Sequence, residues 1–284
     1  MRLNPEVHMT SPSVAVHNSL KEKLAAGGLA TCMSVRLVPS NDIILIAKSA
    51  GFDAVYVDLE HASFSLETVG RISTAALAAN LACLVRVGHN DQISQVLDGG
   101  AVGVIVPNIR TAAAARQAVI AAKYPPGGKR GASAGLPHFG YRSVPPATAM
   151  PALDAATMVV LQIESVEGLT NIDAIAAVDG VDMLLIGTND LLADMNLAGQ
   201  FEHQRVRDAY VRAIAACRKA ALPLGIGGLS ARIELVAAFV EMGARFISVG
   251  SDIGFLMGAA QTRQAEFAAL HRPLSSSETV GRTG

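Results

Sequence analysis

Tryptophan is absent from this 284-residue chain, aromatic residues make up 4% of it, and cysteine and lysine are both scarce. Each shortage excludes something. The cysteines are Cys32, Cys83 and Cys217. An odd number without metal-ligand spacing rules out a disulfide framework or a zinc cluster and reads as reduced core thiols in a cytoplasmic protein. The lysines are Lys21, Lys23, Lys48, Lys123, Lys129 and Lys219. None falls on an expected strand, so a Schiff-base mechanism has no obvious nucleophile. Apolar runs stay short and are broken by charge, well below the ~18–20 residues of a membrane span. The N-terminus has no basic region followed by an apolar one, so no signal peptide is expected. Formal net charge is −1 and no block of Lys/Arg suggests a nucleic-acid partner. What the chain does have is apolar bulk, 51% of residues with a mean hydropathy of +0.37, which argues against disorder except at the ends.

That bulk is arranged as an alternation of strand and helix. Eight short apolar segments read as strands: 30–35, 54–59, 82–87, 102–107, 158–163, 182–187, 223–227 and 245–250. Alanine-rich helical patterns lie between them, as at 111–122, 168–178, 203–221 and 230–242. Strands that are apolar at nearly every position are buried on both faces, as in parallel sheets. Eight βα units over roughly 250 residues predict an α/β fold, a single-domain (β/α)8 barrel over 25–272, rather than a doubly wound sheet. An N-terminal arm and helix (1–24) and a C-terminal tail (273–284) flank it. One connection, 123–157, breaks the rhythm with its Gly, Pro and two of the four tyrosines. It is too long for a plain barrel loop and is expected to be an active-site lid.

Barrel sites form at the C-terminal ends of the strands. Strand 2 exits into Asp58, Glu60 and His61, and Arg86 lies near the end of strand 3. Strand 5 ends on Gln162 and Glu164, two apart and so on one face. Strand 6 runs into Thr188, Asn189 and Asp190. Taken singly these have bland explanations. Glu164 could cap a helix or pair with an arginine, and the TND run (188–190) reads as an ordinary helix cap. Together, Glu164 and Asp190 supply hard oxygen ligands suited to Mg²⁺ or Mn²⁺, with Co²⁺ as an alternative. With no strand lysine, a metal must polarise a carbonyl substrate, and Arg86 can stabilise a developing enolate oxygen.

The motifs DLEH (58–61), VRV (85–87) followed by ND (90–91), YPPGGKRG (124–131), LQIES (161–165) and IGTNDLLADM (186–195) together resemble the class II pyruvate-dependent aldolases of the HpcH/HpaI family. The resemblance covers about residues 25–260. It implies a (β/α)8 barrel with an exchanged eighth helix, assembled as a homo-oligomer, a hexamer. It implies a divalent metal on Glu164 and Asp190, with Gln162, Asn189 and Asp190 binding the substrate, the last two through backbone amides. His61 matches the acid–base histidine and Arg86 the transition-state arginine. Asp98 matches the acid that supports the histidine, with Asp91 as the alternative, and Asp58 and Glu60 stand as further supporting groups. The implied reaction is reversible cleavage of a 4-hydroxy-2-oxo acid to pyruvate and an aldehyde.

Three rivals stand beside this reading. A related enolate-forming lyase or decarboxylase would share the intermediate: a citrate-lyase-like CoA ester lyase or an oxaloacetate decarboxylase. A phosphate-binding barrel would use Gly227, Gly228 and Gly250 after strands 7 and 8. A binding or scaffold barrel would show no metal dependence.

Overall fold

Eight strands pair in parallel, in sequence order, and close on themselves between the first and the last. The computed structural model describes residues 15–270, so the expected C-terminal tail and most of the expected arm lie outside the described residues. The strands are β1 (Ala30–Val35), β2 (Ala54–Asp58), β3 (Ala82–Arg86), β4 (Gly103–Val106), β5 (Met158–Ile163), β6 (Met183–Gly187), β7 (Leu224–Gly227) and β8 (Phe246–Ser251). The helices before β5 are α1 (Ser19–Ala25), α2 (Asp42–Ser49), α3 (Leu66–Ala78), α4 (Ile93–Asp98), α5 (Ala112–Ala122) and α6 (Pro146–Ala156). Those after it are α7 (Val166–Thr170), α8 (Ile172–Ala176), α9 (Thr188–Asp194), α10 (Gln204–Lys219), α11 (Ile233–Met242) and α12 (Asp252–Ala268). None is long and apolar enough to cross a membrane.

Hydroxyl side chains start several of these helices. Ser65, Thr111, Ser165 and Ser251 each accept a hydrogen bond from the N–H three residues on, satisfying a donor that the helix itself leaves free. Period-two alternation then divides each strand between two cores. Residues such as Val55, Val57, Val85, Val104, Leu161 and Ile186 point outward and pack beneath the helices. Ala30, Cys32, Leu84, Ile105, Val160 and Leu185 point inward and fill the barrel. α1 plugs the N-terminal end with fully buried Leu20, and Lys23 Nζ donates to Asp53 at 2.6 Å to hold it there.

Continuing the inward parity toward the C-terminal end changes the chemistry. Two residues beyond Cys32, Tyr56, Leu84 and Val160 come Ser34, Asp58, Arg86 and Gln162, all buried. The upper layer of the barrel interior is therefore polar on the same faces that are apolar below.

The segment 123–157 corrects one expectation. It joins the end of α5 to the start of β5, and both lie at the N-terminal end of the barrel. Lys123 Nζ donates to the carbonyls of Asp154 (2.7 Å) and Thr157 (2.9 Å), and His138 Nε2 lies 3.1 Å from the Ala101 carbonyl. Tyr124, Leu136, Phe139, Ala149 and Leu153 give the segment a small core of its own. It is packed against the base of its own barrel and does not cover its own mouth.

Candidate active site

Asp58 organises one side of the mouth. It is fully buried and sits opposite Arg86 in the β2–β3 register. Its Oδ1 accepts from Arg86 Nε at 3.0 Å, and its Oδ2 from Arg86 Nη2 at 2.6 Å. Such a two-pronged pair fixes the guanidinium in orientation as well as in place. Oδ1 also accepts from the backbone N–H groups of Glu60 (3.0 Å) and His61 (3.2 Å), which shapes the turn that presents the histidine. Burial alone would raise the Asp58 carboxyl, but Arg86 and the two N–H groups overcome it and hold the group below the usual carboxylate range. Burial likewise works against the charge on Arg86, and Asp58 more than offsets it, pushing that group above its ordinary value. Glu60 Oε2 lies 3.2 Å from Arg86 Nη1 and 3.6 Å from His61 Nε2, so it bridges the two. The His61 side chain is half exposed at the rim.

The opposite side is built by β5, β6 and the loop after β4. Gln162 Nε2 donates to Glu164 Oε2, and both residues are buried. The Asn108 N–H donates to Glu164 Oε1 at 2.6 Å, an approach made with Asn108 in the left-handed region (φ 56°), which Asn tolerates. Gly187 leaves them room: a Cβ there would lie 2.5 Å from Glu164 Oε2 and 2.9 Å from Gln162 Nε2, so both side chains would have to move from this arrangement. Thr188 opens α9. Its Oγ1 donates to the Gly227 carbonyl at 2.6 Å and lies 2.8 Å from the Tyr210 hydroxyl, which fixes the helix start that carries Asn189 and Asp190. Burial pushes the Glu164 carboxyl up. The hydrogen bonds from Gln162 and Asn108 oppose this, and the charges of Glu60 and Asp190 add to it.

Between the two sides lies a cavity of about 360 Å³. Its walls include His61, Arg86, Gln162, Asn189 and Asp190, so five of the residues expected from sequence meet in one space. Among the described residues no group of three or more His, Cys, Asp or Glu side chains is assembled to hold a metal. Glu164 and Asp190 are instead two hard oxygen donors, the charge of Asp190 adding to the cost of ionising Glu164, and among the described residues no arginine or lysine forms an ion pair with Glu164. That donor chemistry fits a divalent cation whose remaining positions are left to substrate and water.

Asp98 does not join these residues within one chain. It ends α4, which runs away from the mouth, and its Oδ1 lies 2.6 Å from Nη2 of the buried Arg130 at the barrel base. Within one chain it is not brought to His61, and Asp91 makes no hydrogen bond to that ring either. The carboxylate beside the ring is Glu60. Sequence reading also passed over Ser34, Arg36 and Asp252. The signal for the first was the inward parity of β1. Asp252 accepts from the N–H groups of Arg36 (2.9 Å), Leu37 (2.9 Å) and Val38 (2.8 Å), a contact across 214 or more residues that no local pattern announces.

Barrel and mouth together define a (β/α)8 enzyme with carboxylates, an amide and a fixed guanidinium gathered at its strand ends. The family described as HpcH/HpaI aldolase/citrate lyase matches residues 36–259, and the chain belongs to that family, with its aldolase/lyase type of chemistry. It is 40% identical over 254 residues to a 4-hydroxy-4-methyl-2-oxoglutarate aldolase of Hapsidospora irregularis, covering 87% of this chain and 94% of the relative. It is 37% identical to a 4-hydroxy-2-oxo-heptane-1,7-dioate aldolase of Salmonella dublin, covering 89% and 95%. The crystal structure of an HpcH/HpaI aldolase from Desulfitobacterium hafniense DCB-2 superposes with a TM-score of 0.81 at 30% identity, covering 91% of this chain and 98% of that one.

Proposed function

We propose that this enzyme is a metal-dependent aldolase that cleaves a 4-hydroxy-2-oxo acid reversibly to pyruvate and an aldehyde. The observation that carries the reading is the placing of Gln162 and Asp190, with Glu164 beside them, across one cavity from an arginine fixed by Asp58. No lysine lines that cavity, so the carbonyl has no amine to condense with.

Glu164 and Asp190 would hold Mg²⁺ or Mn²⁺ (or Co²⁺), which supplies Lewis-acid polarisation of the 2-oxo group. The chain's own residues do the rest. The N–H groups of Asn189 and Asp190, in the first turn of α9, bind the substrate carboxylate, and the Gln162 amide orients the 2-oxo end. His61 takes the proton of the C4 hydroxyl as the C3–C4 bond breaks. The electron pair of that bond passes to C2–C3, giving the enolate and releasing the aldehyde. Arg86 stabilises the negative charge on the enolate oxygen, and a proton returned to C3 completes pyruvate.

The oligomeric part of the reading, a homo-hexamer with an exchanged eighth helix, is supported by α12. Phe255, Leu256, Met257 and Phe267 on that helix are exposed in the single chain, an apolar display that a second copy would cover. The buried, unpaired thiols of Cys32, Cys83 and Cys217 support a cytoplasmic location.

The deciding experiment follows the methyl protons of pyruvate by NMR in D₂O with Mg²⁺ or Mn²⁺. Exchange that depends on the metal and stops in EDTA is expected. Exchange that persists in demonstrably metal-free protein would overturn the metal-dependent mechanism.

A further inference from the structure

One proton of the aldol cleavage has no source yet. Turnover ends when C3 of the enolate is protonated, and His61, at the rim, is occupied with the C4 hydroxyl. Few groups around the cavity can carry a second proton. Of the side-chain types that serve as general acids and bases, those lining it are His61, Asp190 and Tyr56. No lysine or cysteine is among the lining residues, and the guanidinium groups of Arg36 and Arg86 do not give up a proton. The serine hydroxyls there are far weaker acids than a phenol. Asp190 belongs with Glu164 to the acidic pair, and Glu60 is taken up between Arg86 and His61. Tyr56 is left.

Its place suits the task. Tyr56 shares the inward face of β2 with Asp58 and lies two residues before it, roughly 6–7 Å deeper along the strand. Its register partners are Ser34 on β1 and Leu84 on β3, and Arg86 comes two residues beyond Leu84. The phenol therefore stands at the floor of the cavity, beneath the Asp58–Arg86 pair. The guanidinium carbon of Arg86 is 5.8 Å from the centre of its ring. Asp58 does most to hold the Arg86 charge against burial, and Tyr56 adds to it. The Tyr210 hydroxyl is tied to Thr188 Oγ1 at 2.8 Å, whereas that of half-buried Tyr56 has no hydrogen-bond partner among the described residues. With the enolate oxygen at Arg86 and the C4 hydroxyl at His61, C3 lies between them, over the β2–β3 edge and above this free hydroxyl.

We infer that Tyr56 is the catalytic acid that protonates C3 of the enolate. As the C2 carbonyl re-forms, the electron pair of the C2–C3 double bond takes the phenolic proton, which makes the new C3–H bond and leaves a phenolate beside Arg86. The phenolate regains a proton from solvent through the open mouth. His61 returns to solvent the proton it took from the C4 hydroxyl, so the two transfers balance. In the reverse sense the phenolate removes a methyl proton from pyruvate. The inference rests on the aldolase reading and adds to it a second acid–base group. His61 serves the oxygen on C4, and Tyr56 serves carbon C3.

Tyr56→Phe tests this, because the ring and its packing under Arg86 stay while the hydroxyl goes, and no hydrogen bond that could hold the fold is lost. Two rates are compared with Mg²⁺ present: exchange of pyruvate methyl protons in D₂O, and release of glyoxylate in the first turnover of 4-hydroxy-2-oxoglutarate. Tyr56→Phe should slow exchange by ~10²-fold or more, the range of general acid–base catalysis. First-turnover glyoxylate should stay within a few-fold of wild type, because the C3–C4 bond breaks before C3 is protonated, and pyruvate should then lag behind glyoxylate. Mg²⁺ affinity in calorimetry should not change. His61→Ala should show the opposite pattern, with slow glyoxylate release and exchange retained. Undiminished exchange in Tyr56→Phe overturns the inference. Equal slowing of exchange and first-turnover release also overturns it, because Tyr56 then only supports Arg86. Exchange lost in His61→Ala but kept in Tyr56→Phe would give both protons to His61. Failure of the aldolase reading is seen separately, as wild type that exchanges no pyruvate methyl protons. Wild-type exchange that Tyr56→Phe leaves unaltered removes only the role of Tyr56.

Discussion

The β5–β6 side of the mouth carries negative charge held close by neutral donors, whereas the β1–β3 side carries positive charge held by a carboxylate. Glu164 is touched by an amide and a backbone N–H, neither of which cancels its charge, and Asp190 and Glu60 add to the cost. Arg86 is touched by two carboxylates and is electrostatically settled in the free protein. The difference teaches which side waits for a ligand of what kind. The acidic side offers the oxygen donors that the proposed cation would use. The cationic side is complete around Arg86, and Arg36, two strands over at the end of β1, shares Asp58 with it.

The strongest way to break this comparison is to remove the acidic side. Glu164→Gln and Asp190→Asn should each abolish tight Mg²⁺ or Mn²⁺ binding in calorimetry and lower cleavage on the order of 10³-fold or more, the several kcal/mol that a Lewis acid supplies. Circular dichroism should stay that of a folded barrel. Undiminished metal affinity in both variants would show that the pair is only structural.

Arg86→Ala comes next. Its charge is needed when the enolate forms, so kcat should fall ~10²–10³-fold with little change in KM, and Arg86→Lys should recover only part because the fork is lost. A change confined to KM would turn Arg86 into a substrate-binding group and blur the contrast between the two sides.

Asp58→Asn sharpens the comparison through stability. It leaves a buried guanidinium short of charge, at a cost of about 3 kcal/mol in urea unfolding. Because the folded Asp58 carboxyl sits below its unfolded value, its contribution is full above the ordinary carboxylate value of ~3.9 and is lost as pH falls through the lower, folded value. The wild type should lose this increment of stability in that acid window and Asp58→Asn should not. Equal acid sensitivity of the two proteins would mean that Asp58 is not the group responsible.

The smallest effect is expected at Tyr210. Its hydroxyl, whose ionisation burial disfavours, lies 2.8 Å from Thr188 Oγ1 beneath the α9 start. Tyr210→Phe keeps the ring stacked on Phe239, at 3.8 Å between centroids, and should cost about 1 kcal/mol for the lost hydrogen bond. Activity should remain within a few-fold. A loss as large as that of Arg86→Ala would mean that the α9 start needs this tether to hold its amides.

The strands were legible because each is a short apolar run, and the observed bounds lie within a residue of the expected ones, as at 30–35 and 158–163. Gln162 and Glu164 were legible for a related reason: strand parity places residues two apart on one face, and a parallel barrel aims that face at its own mouth. His61 and Arg86 followed from being polar at strand exits. Within one chain Asp98 stays apart from His61, because a helix carries its last residue to the far end of the barrel, where Arg130 pairs with it. The segment 123–157 was misassigned although its place between helix and strand already pointed to the base. Its length suggested a lid, and topology overruled length.

By itself the sequence determined the alternation of elements, the closed parallel barrel, and the identity of the charged residues at the strand exits, because these depend on local hydrophobic period and on the direction in which successive strands must run. The tertiary structure alone decided which charges meet. Asp58 serving Arg86 rather than only its own turn, Asp252 gripping the loop of Arg36 from the other end of the chain, and Arg36 sharing Asp58 with Arg86 are all matters of proximity between residues far apart in sequence. Charge neutralisation acts over a few ångströms of space, and no local pattern in a chain records which distant residue will arrive within that reach.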